Sequence, residues 1–310
     1  MTLQEWLNRG EMQLRAGPHP GRARRDAEQL LLHVLGKNKS WLMAHSEDKL
    51  PATETSRFTG LLERRYQGEP IQYITGETEF YGLPFRVTPE VLIPRPETEH
   101  LVEKVLELAA RFPNPRIVDV GAGSGCIAVV LAHKLPHAAI TAVDLSAPAL
   151  SIARENAKRN GVSNQIRFLQ GDLLAPLVES AQETNSSVPH PSRVLGEKGG
   201  KARLSTMERF EIVVSNPPYV PSADRAALSV EVRDYEPALA LFASNDGLDI
   251  CRRLIPSAFA ALIPGGFLVL EIGDGQSHAI TGLLSASGFR QIEFLPDLQS
   301  IPRVACAQRR

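Results

Sequence analysis

The chain is predicted to be an α/β protein: a mostly parallel sheet with one antiparallel edge strand, preceded by a small helical bundle. Three observations carry this. From Arg116 onward, short apolar runs alternate with helix-patterned segments, as in successive βαβ units. A glycine cluster, Gly121-Ala122-Gly123-Ser124-Gly125, follows the first of those runs and opens a helix. Residues 1 to 68 lack the alternation and instead repeat apolar side chains at helical intervals.

In the N-terminal part, Leu3, Trp6, Leu7 and Leu14 predict one helix, and Ala27, Leu30, Leu31, Val34 and Leu35 predict a second. Gly17-Pro18-His19-Pro20-Gly21 separates them as a turn, and a third helix is expected over 54–66. Gly68-Glu69-Pro70 breaks this pattern. Residues 69–93 are rich in β-formers punctuated by glycine and predict a β-hairpin linker. Ile93-Pro94-Arg95-Pro96-Glu97-Thr98-Glu99 then leads into a helix, where Glu97 and Thr98 are expected either to cap it or to help enclose a bound ligand.

The third part, 94–310, holds predicted strands at 117–120, 140–143, 166–169, 211–215 and 267–272. Helices are expected at 127–134 and 147–160. The runs 289–294 and 303–307 predict a terminal pair that includes the antiparallel edge strand. Residues 180–207, rich in Ser, Gly, Lys, Asn and Pro, read as a flexible surface insertion.

Composition narrows the function classes. The 310 residues are 43% hydrophobic and 22% charged, enough apolar content for a soluble protein with a sizeable core. Lys and Arg number 34 against 35 Asp and Glu, and the two signs are near balance over residues 1–70. That is no electrostatic footprint for long nucleic acid, so no direct nucleic-acid specificity is expected. No signal sequence or membrane span is read. The cysteines, Cys126, Cys251 and Cys306, are scattered without metal-ligand spacing, which predicts buried thiols, no metal and a cytoplasmic location.

The chemistry concentrates in four places. Asn216-Pro217-Pro218-Tyr219 ends the apolar run 210–214. Consecutive prolines cannot continue a sheet ladder, because each lacks an N–H and fixes φ near −65°. A stiff turn is therefore expected at the strand's carboxyl end, where ligands of open α/β sheets collect. Its amide and aromatic side chains suit a planar group bearing N–H donors. Gly121, Ala122, Gly123, Ser124 and Gly125 form a loop whose spacing departs from the pyrophosphate-binding pattern at Cys126, which favours a nucleoside and amino-acid ligand. Asp144 closes the next strand, where an acid can accept both hydroxyls of a ribose; Ser146 is the expected cap of the following helix. Asp172, with Leu173 beside it, suits an adenine amino group and ring, or else a capped turn.

Together these residues resemble a class I S-adenosylmethionine-dependent methyltransferase with a Rossmann-like sheet. Pro70-Ile71-Gln72-Tyr73-Ile74-Thr75-Gly76, Glu79-Phe80-Tyr81-Gly82, Leu92-Ile93-Pro94-Arg95-Pro96-Glu97-Thr98-Glu99 and Tyr235-Glu236-Pro237 are similar to the bacterial release-factor glutamine methyltransferase family, over nearly the whole chain. Two departures stand out: the long 180–207 segment, and Leu173 where an aromatic residue is common. The resemblance implies methyl transfer from S-adenosylmethionine to the side-chain amide of the glutamine in the Gly-Gly-Gln motif of peptide chain release factors. It implies Asn216, Pro217, Pro218 and Tyr219 as the catalytic turn, with Asn216 also among the cofactor-binding residues, and the 1–68 bundle as the docking part. Two other readings stand beside it. A nucleic-acid amino methyltransferase would use the same turn, and a non-catalytic adenosyl-binding scaffold would keep only the fold.

Overall fold

The computed structural model describes residues 1–177 and 208–310; the insertion expected over 180–207 lies outside the described residues. The chain divides into two compact units. One comprises Met1–Thr78, Arg86–Ile93 and Ala223–Ala238; the other comprises Glu79–Phe85, Pro94–Ser222 and Leu239–Arg310.

The first unit is helical. Helix α1 (Leu3–Arg15) starts at a capping box, with Thr2 Oγ1 accepting from Glu5 N and Glu5 Oε2 accepting from Thr2 N. Leu3, Trp6, Leu7 and Leu14 form its buried stripe. They pack with Ala27, Leu30, Leu31 and Val34 of α2 (Ala23–Leu35) and with Phe58 and Leu62 of the long helix 52–66. A short helix, α3 (Lys39–Ala44), precedes that long helix, α4 (Ala52–Tyr66).

Residues 71–75 depart from the β-rich expectation and form a helical turn, α5 (Ile71–Thr75). Pro70 stands at its N-cap, and Gly76 ends it in the left-handed region at φ 78°. Tyr73, buried there, donates its hydroxyl to the Val91 carbonyl at 2.6 Å. The expected hairpin follows as β1 (Glu77–Phe80) and β2 (Leu83–Arg86). Its loop residues Tyr81 and Gly82 both have positive φ, the twist a two-residue hairpin turn demands.

Residues 223–238 fold with the helices despite their distance along the chain. Arg65, 1% exposed at its side chain, is the anchor. Its Nε donates to Asp26 Oδ2 at 2.6 Å and its Nη1 donates to the Glu69 carbonyl at 2.9 Å. The same Nη1 lies 2.6 Å from Glu231 Oε1, in the helix Val230–Tyr235.

The second unit is built on a seven-stranded sheet. Its strands are β3 (Arg116–Val120), β4 (Ala139–Asp144), β5 (Ile166–Gln170), β6 (Phe210–Ser215), β7 (Leu262–Glu271), β8 (Phe289–Pro296) and β9 (Pro302–Arg309), in the order β5-β4-β3-β6-β7-β9-β8. The pairs among β3 to β7 are parallel, whereas β9 runs antiparallel to both neighbours. The antiparallel strand thus lies one place in from the edge where it was expected, with β8 at the rim. Strand β7 runs through Pro264-Gly265-Gly266 and so begins earlier than the 267–272 read from the sequence. A register shift between Phe210 and Ile212 absorbs the extra residues.

Strand alternation sends neighbouring residues to opposite faces. Ile117, Ile212, Val214 and Val269 join one core with Leu101 and Val105 of α6 (Thr98–Ala109) and Ile127 and Leu131 of α7 (Cys126–Lys134). Val118, Val120, Val213, Leu268 and Leu270 join a second core with Leu254 and Ile255 of the helix 249–261 and Ile280 and Leu284 of the helix 277–286. Both faces being covered, the central strands read as unbroken apolar runs.

Arg65→Met removes the cation from between Asp26 and Glu231 and leaves the buried Asp26 carboxylate without it. Unfolding of the helical unit, followed by circular dichroism in urea, is expected to show a loss of about 3 kcal/mol.

Candidate active site

Parallel pairing fixes where the site forms. The registers Val120↔Val143, Asp144↔Gln170 and Ser215↔Leu270 bring the carboxyl ends of β3, β4, β5, β6 and β7 to one edge of the sheet. Every predicted site residue leaves the sheet at that edge. A side chain also ties two of the ends together: Ser215 Oγ donates to the Val120 carbonyl at 2.6 Å.

The glycine loop follows β3. Gly121, Gly123 and Gly125 adopt φ of 77°, 55° and 78°, a region that L side chains rarely occupy. Gly125 has a second constraint, since a Cβ there would lie 2.9 Å from Ala153 Cβ. Beside Gly121 and Gly123 a Cβ would meet nothing within 4 Å. Gly121 N and Ala122 N both donate to the Val143 carbonyl, at 2.8 and 3.0 Å. Ser124 is buried, and its carbonyl accepts from Asn156 Nδ2 at 2.8 Å.

Asp144 does more than the sequence announced. Its Oδ2 accepts from Gly123 N at 2.7 Å and its Oδ1 from Ser146 N at 2.8 Å. Ser146 caps the helix Ala147–Arg159 as expected, accepting from Ala149 N. The cap therefore does not leave Asp144 unengaged, as the sequence reading had it: the carboxylate itself holds the loop. Each oxygen keeps a second lone pair for a ligand. Burial pushes this carboxyl up, against the pull of the backbone donors of Gly123, Ser146 and Leu145.

Asp119, at the end of β3, escaped the sequence reading as an individual group. It is fully buried; Oδ2 accepts from Ala128 N at 3.2 Å, while Oδ1 has no partner. Burial first, then repulsion from Asp144, raises it to about 7, against the Ala128 hydrogen bond. An orphaned buried carboxylate oxygen, with open space beside the neighbouring glycine loop, fits a ligand carrying a cationic or N–H donor group.

Asp172 is half exposed and ion-paired with Arg253. Leu173 stands in the left-handed region at φ 51° and packs, partly buried, against the second core. A branched residue held there costs on the order of 1 kcal/mol.

The Asn216-Pro217-Pro218-Tyr219 elbow follows β6 directly. Asn216 Nδ2 donates to Thr98 Oγ1 at 3.1 Å, and Thr98 Oγ1 donates to Glu271 Oε2 at 2.6 Å. Tyr219 donates its hydroxyl to Glu271 Oε1 at 3.2 Å. Thr98 is thus no helix cap; Glu97 stands at the N-cap position of α6 without a side-chain cap bond, and the Thr98 hydroxyl turns to the elbow. Among the described residues, Asn216 Oδ1 and the Pro217 carbonyl meet no donor. The far side of the elbow is pinned. Gln276 Nε2 donates to the Tyr219 carbonyl at 3.1 Å, and Val220 pairs with Phe242. A Cβ on Gly247 would come within 2.2 Å of that carbonyl.

Glu271, at the end of β7, is 2% exposed and was missed by the sequence reading. The available signal was a single acid closing the apolar run 267–270. Burial raises its carboxyl, opposed by the hydrogen bonds of Thr98, Tyr219 and Asn216. Tyr219 is likewise pushed up, by burial and then by Glu271.

Comparison with known proteins places this geometry. Residues 5–76 match the PrmC N-terminal domain and residues 97–184 the methyltransferase small domain. The protein is thus a methyltransferase. Three proteins named release factor glutamine methyltransferase align along its whole length. They come from Koribacter versatilis (38% identical, 100% of this chain and 99% of that protein), Moorella thermoacetica (40%, 100% and 99%) and Salmonella typhimurium (37%, 99% and 99%). The chain belongs to the release factor glutamine methyltransferase family. A solved structure of the hMettl16 catalytic domain in complex with MAT2A 3'UTR hairpin 6 shares the fold at 15% identity, with a TM-score of 0.52 over 83% of this chain and 82% of that one.

The state of Asp119 carries a stability consequence. Its folded value, about 7, lies above the ordinary aspartate range. The contribution is therefore full below about pH 4 and is lost as pH rises toward about 7. Asp119→Asn is expected to flatten the decline of Tm with rising pH over that window in the cofactor-free protein, read by calorimetry. Part of the decline remains, because Asp144 and Glu271 are shifted the same way.

Proposed function

We propose that this protein transfers the methyl group of S-adenosylmethionine to the side-chain amide nitrogen of the glutamine in the Gly-Gly-Gln motif of peptide chain release factors. One observation carries the reading. Two oxygen acceptors of a rigid elbow, Asn216 Oδ1 and the Pro217 carbonyl, stand without donors at the sheet edge that also bears the glycine loop. A primary amide offers two N–H donors in one plane and matches that pair.

The chain's own residues have to make a poor nucleophile react. An amide nitrogen delocalises its lone pair into the carbonyl. Accepting both N–H groups at Asn216 and Pro217 orients the nitrogen and keeps electron density on it as the new bond forms. Positioning of this kind contributes on the order of 7–11 kcal/mol when reacting atoms are held near contact. Pro218 keeps the elbow stiff, and Tyr219, fixed by Glu271, borders the amide. The nitrogen's proton becomes acidic only after transfer, so a strong base is not required.

S-adenosylmethionine supplies an electrophilic methyl on a sulfonium. The residues that would hold it fit its chemistry. Gly121, Ala122, Gly123, Ser124 and Gly125 are assigned to it as the loop, with open space beside Gly121 and Gly123 for close approach, and Asp144 retains lone pairs for ribose hydroxyls. Asp119 Oδ1 lacks the partner that an α-ammonium would provide. Asp172 and Leu173 are assigned the adenine amino group and ring, with the Arg253 pair having to share Asp172. The helical unit is assigned to release-factor docking, and a translation factor as substrate implies work in the cytoplasm. The near-neutral charge favours a protein substrate over nucleic acid.

Purified protein with labelled S-adenosylmethionine should modify release factor and leave DNA and RNA unlabelled. Mass spectrometry should place one methyl on the Gly-Gly-Gln glutamine. Asn216→Ala is expected to lower methylation by about 10²-fold or more while cofactor affinity stays within a few-fold, in line with loss of transition-state contacts alone. Activity retained within a few-fold would remove Asn216 from its role.

A further inference from the structure

We propose that Glu271 and Thr98 are positioning residues that fix which end of the Asn216 side-chain amide faces the substrate. The inference rests on the reading of Asn216 given above and adds the device that makes its oxygen available.

The argument follows the direction of the hydrogen bonds. Both carboxyl oxygens of Glu271 accept from hydroxyls, Oε2 from Thr98 and Oε1 from Tyr219, so neither serves as a donor. Glu271 Oε2 therefore takes the one hydroxyl proton of Thr98 across 2.6 Å. Thr98 Oγ1, its proton committed, can only accept from Asn216 across 3.1 Å. The NH₂ end of Asn216 must then point to Thr98, and Oδ1 is turned to the other side. The second oxygen of Glu271 takes the Tyr219 proton, so both flanks of the elbow are oriented by one acceptor. An amide rotated by half a turn would present two protons where the substrate's own N–H groups arrive. Enforcing the correct face matters because the two faces are nearly equal in shape.

This chain of donors makes an unusual prediction for a double variant. Glu271→Met keeps the length of the side chain but removes the acceptor. The Thr98 hydroxyl is then free to donate to Asn216 Oδ1, and the amide turns its wrong end outward. The kcat of release-factor methylation is expected to fall by about 10²-fold, with the KM for release factor and the cofactor Kd within about three-fold, since only orientation in the transition state is lost. Thr98→Val costs a few-fold, because the Asn216 amide also hydrogen-bonds the Glu271 carboxyl directly. Combining Glu271→Met with Thr98→Val removes the hydroxyl that captures Oδ1, so kcat should recover by about ten-fold over Glu271→Met alone, the negative coupling expected of contacting residues. Thr98→Ser keeps the hydroxyl and most of the rate.

A merely structural role for Glu271 predicts the reverse, with the double variant poorer than either single one. That order, or a kcat for Glu271→Met within a few-fold of the parent, overturns the proposal. Asn216→Ala measured alongside separates the two levels. If it is inactive while Glu271→Met is not, the orienting role falls and the reading of Asn216 stands. If Asn216→Ala is active, that reading falls with it. Should Glu271→Met not bind the cofactor, Glu271→Gln takes its place. Its NH₂ can donate to Thr98 and release the same hydroxyl, and a loss of about ten-fold in kcat is expected; an unchanged kcat overturns the proposal.

Discussion

The parallel ladder between β3 and β6 sets the rest. It lies at the centre of the sheet, where Ile117, Val118 and Asp119 pair with Ile212, Val213 and Val214. In-register parallel strands end together, so the glycine loop after Val120 and the elbow after Ser215 start side by side. A slip of one residue would send the apolar side chains to the wrong faces. It would also separate the Ser215 hydroxyl from the Val120 carbonyl. Because both faces are sealed by helices, the register has little freedom, and the geometry at the edge inherits that rigidity.

What accumulates at that edge is negative charge out of water. Asp119 and Glu271 are buried, Asp144 is partly so, and each is pushed up in pKa. Their compensation differs. Asp144 receives the backbone N–H groups of Gly123, Ser146 and Leu145, Glu271 two hydroxyls and the Asn216 amide, and Asp119 a single backbone N–H. The less a carboxyl is compensated within the chain, the more it gains from a ligand. Stability and binding therefore pull in opposite directions at Asp119, and in balance at Glu271.

Much of this was legible in the residues. The diproline had to end a strand, since neither proline can join a ladder, and the glycines had to mark a turn. The alternation after Arg116 reported a parallel sheet. Other features were silent for physical reasons. Glu271 and Thr98 stand 173 positions apart, and no periodicity links them. The order of β8 and β9 depends on which apolar run reaches β7, and short runs of equal character do not encode it. At 71–75, β-forming residues were overruled by Pro70 and Gly76, which bracket a helical turn. Asp144 was read for its ligand chemistry alone, yet its carboxylate also serves the fold.

The Arg65 cluster bears on how the chain can be cut. Asp26 and Arg65 come from the first helices, whereas Glu231 arrives from beyond the elbow. A gene fragment ending after the first 93 codons would encode the bundle without its returning segment and would leave the buried Arg65 guanidinium with Asp26 and the Glu69 carbonyl but without the Glu231 carboxylate. The helical unit is consequently no detachable cassette. Recombination that exchanged it between relatives would have to carry two separate stretches of coding sequence at once, and swapping one alone would be selected against at the level of folding.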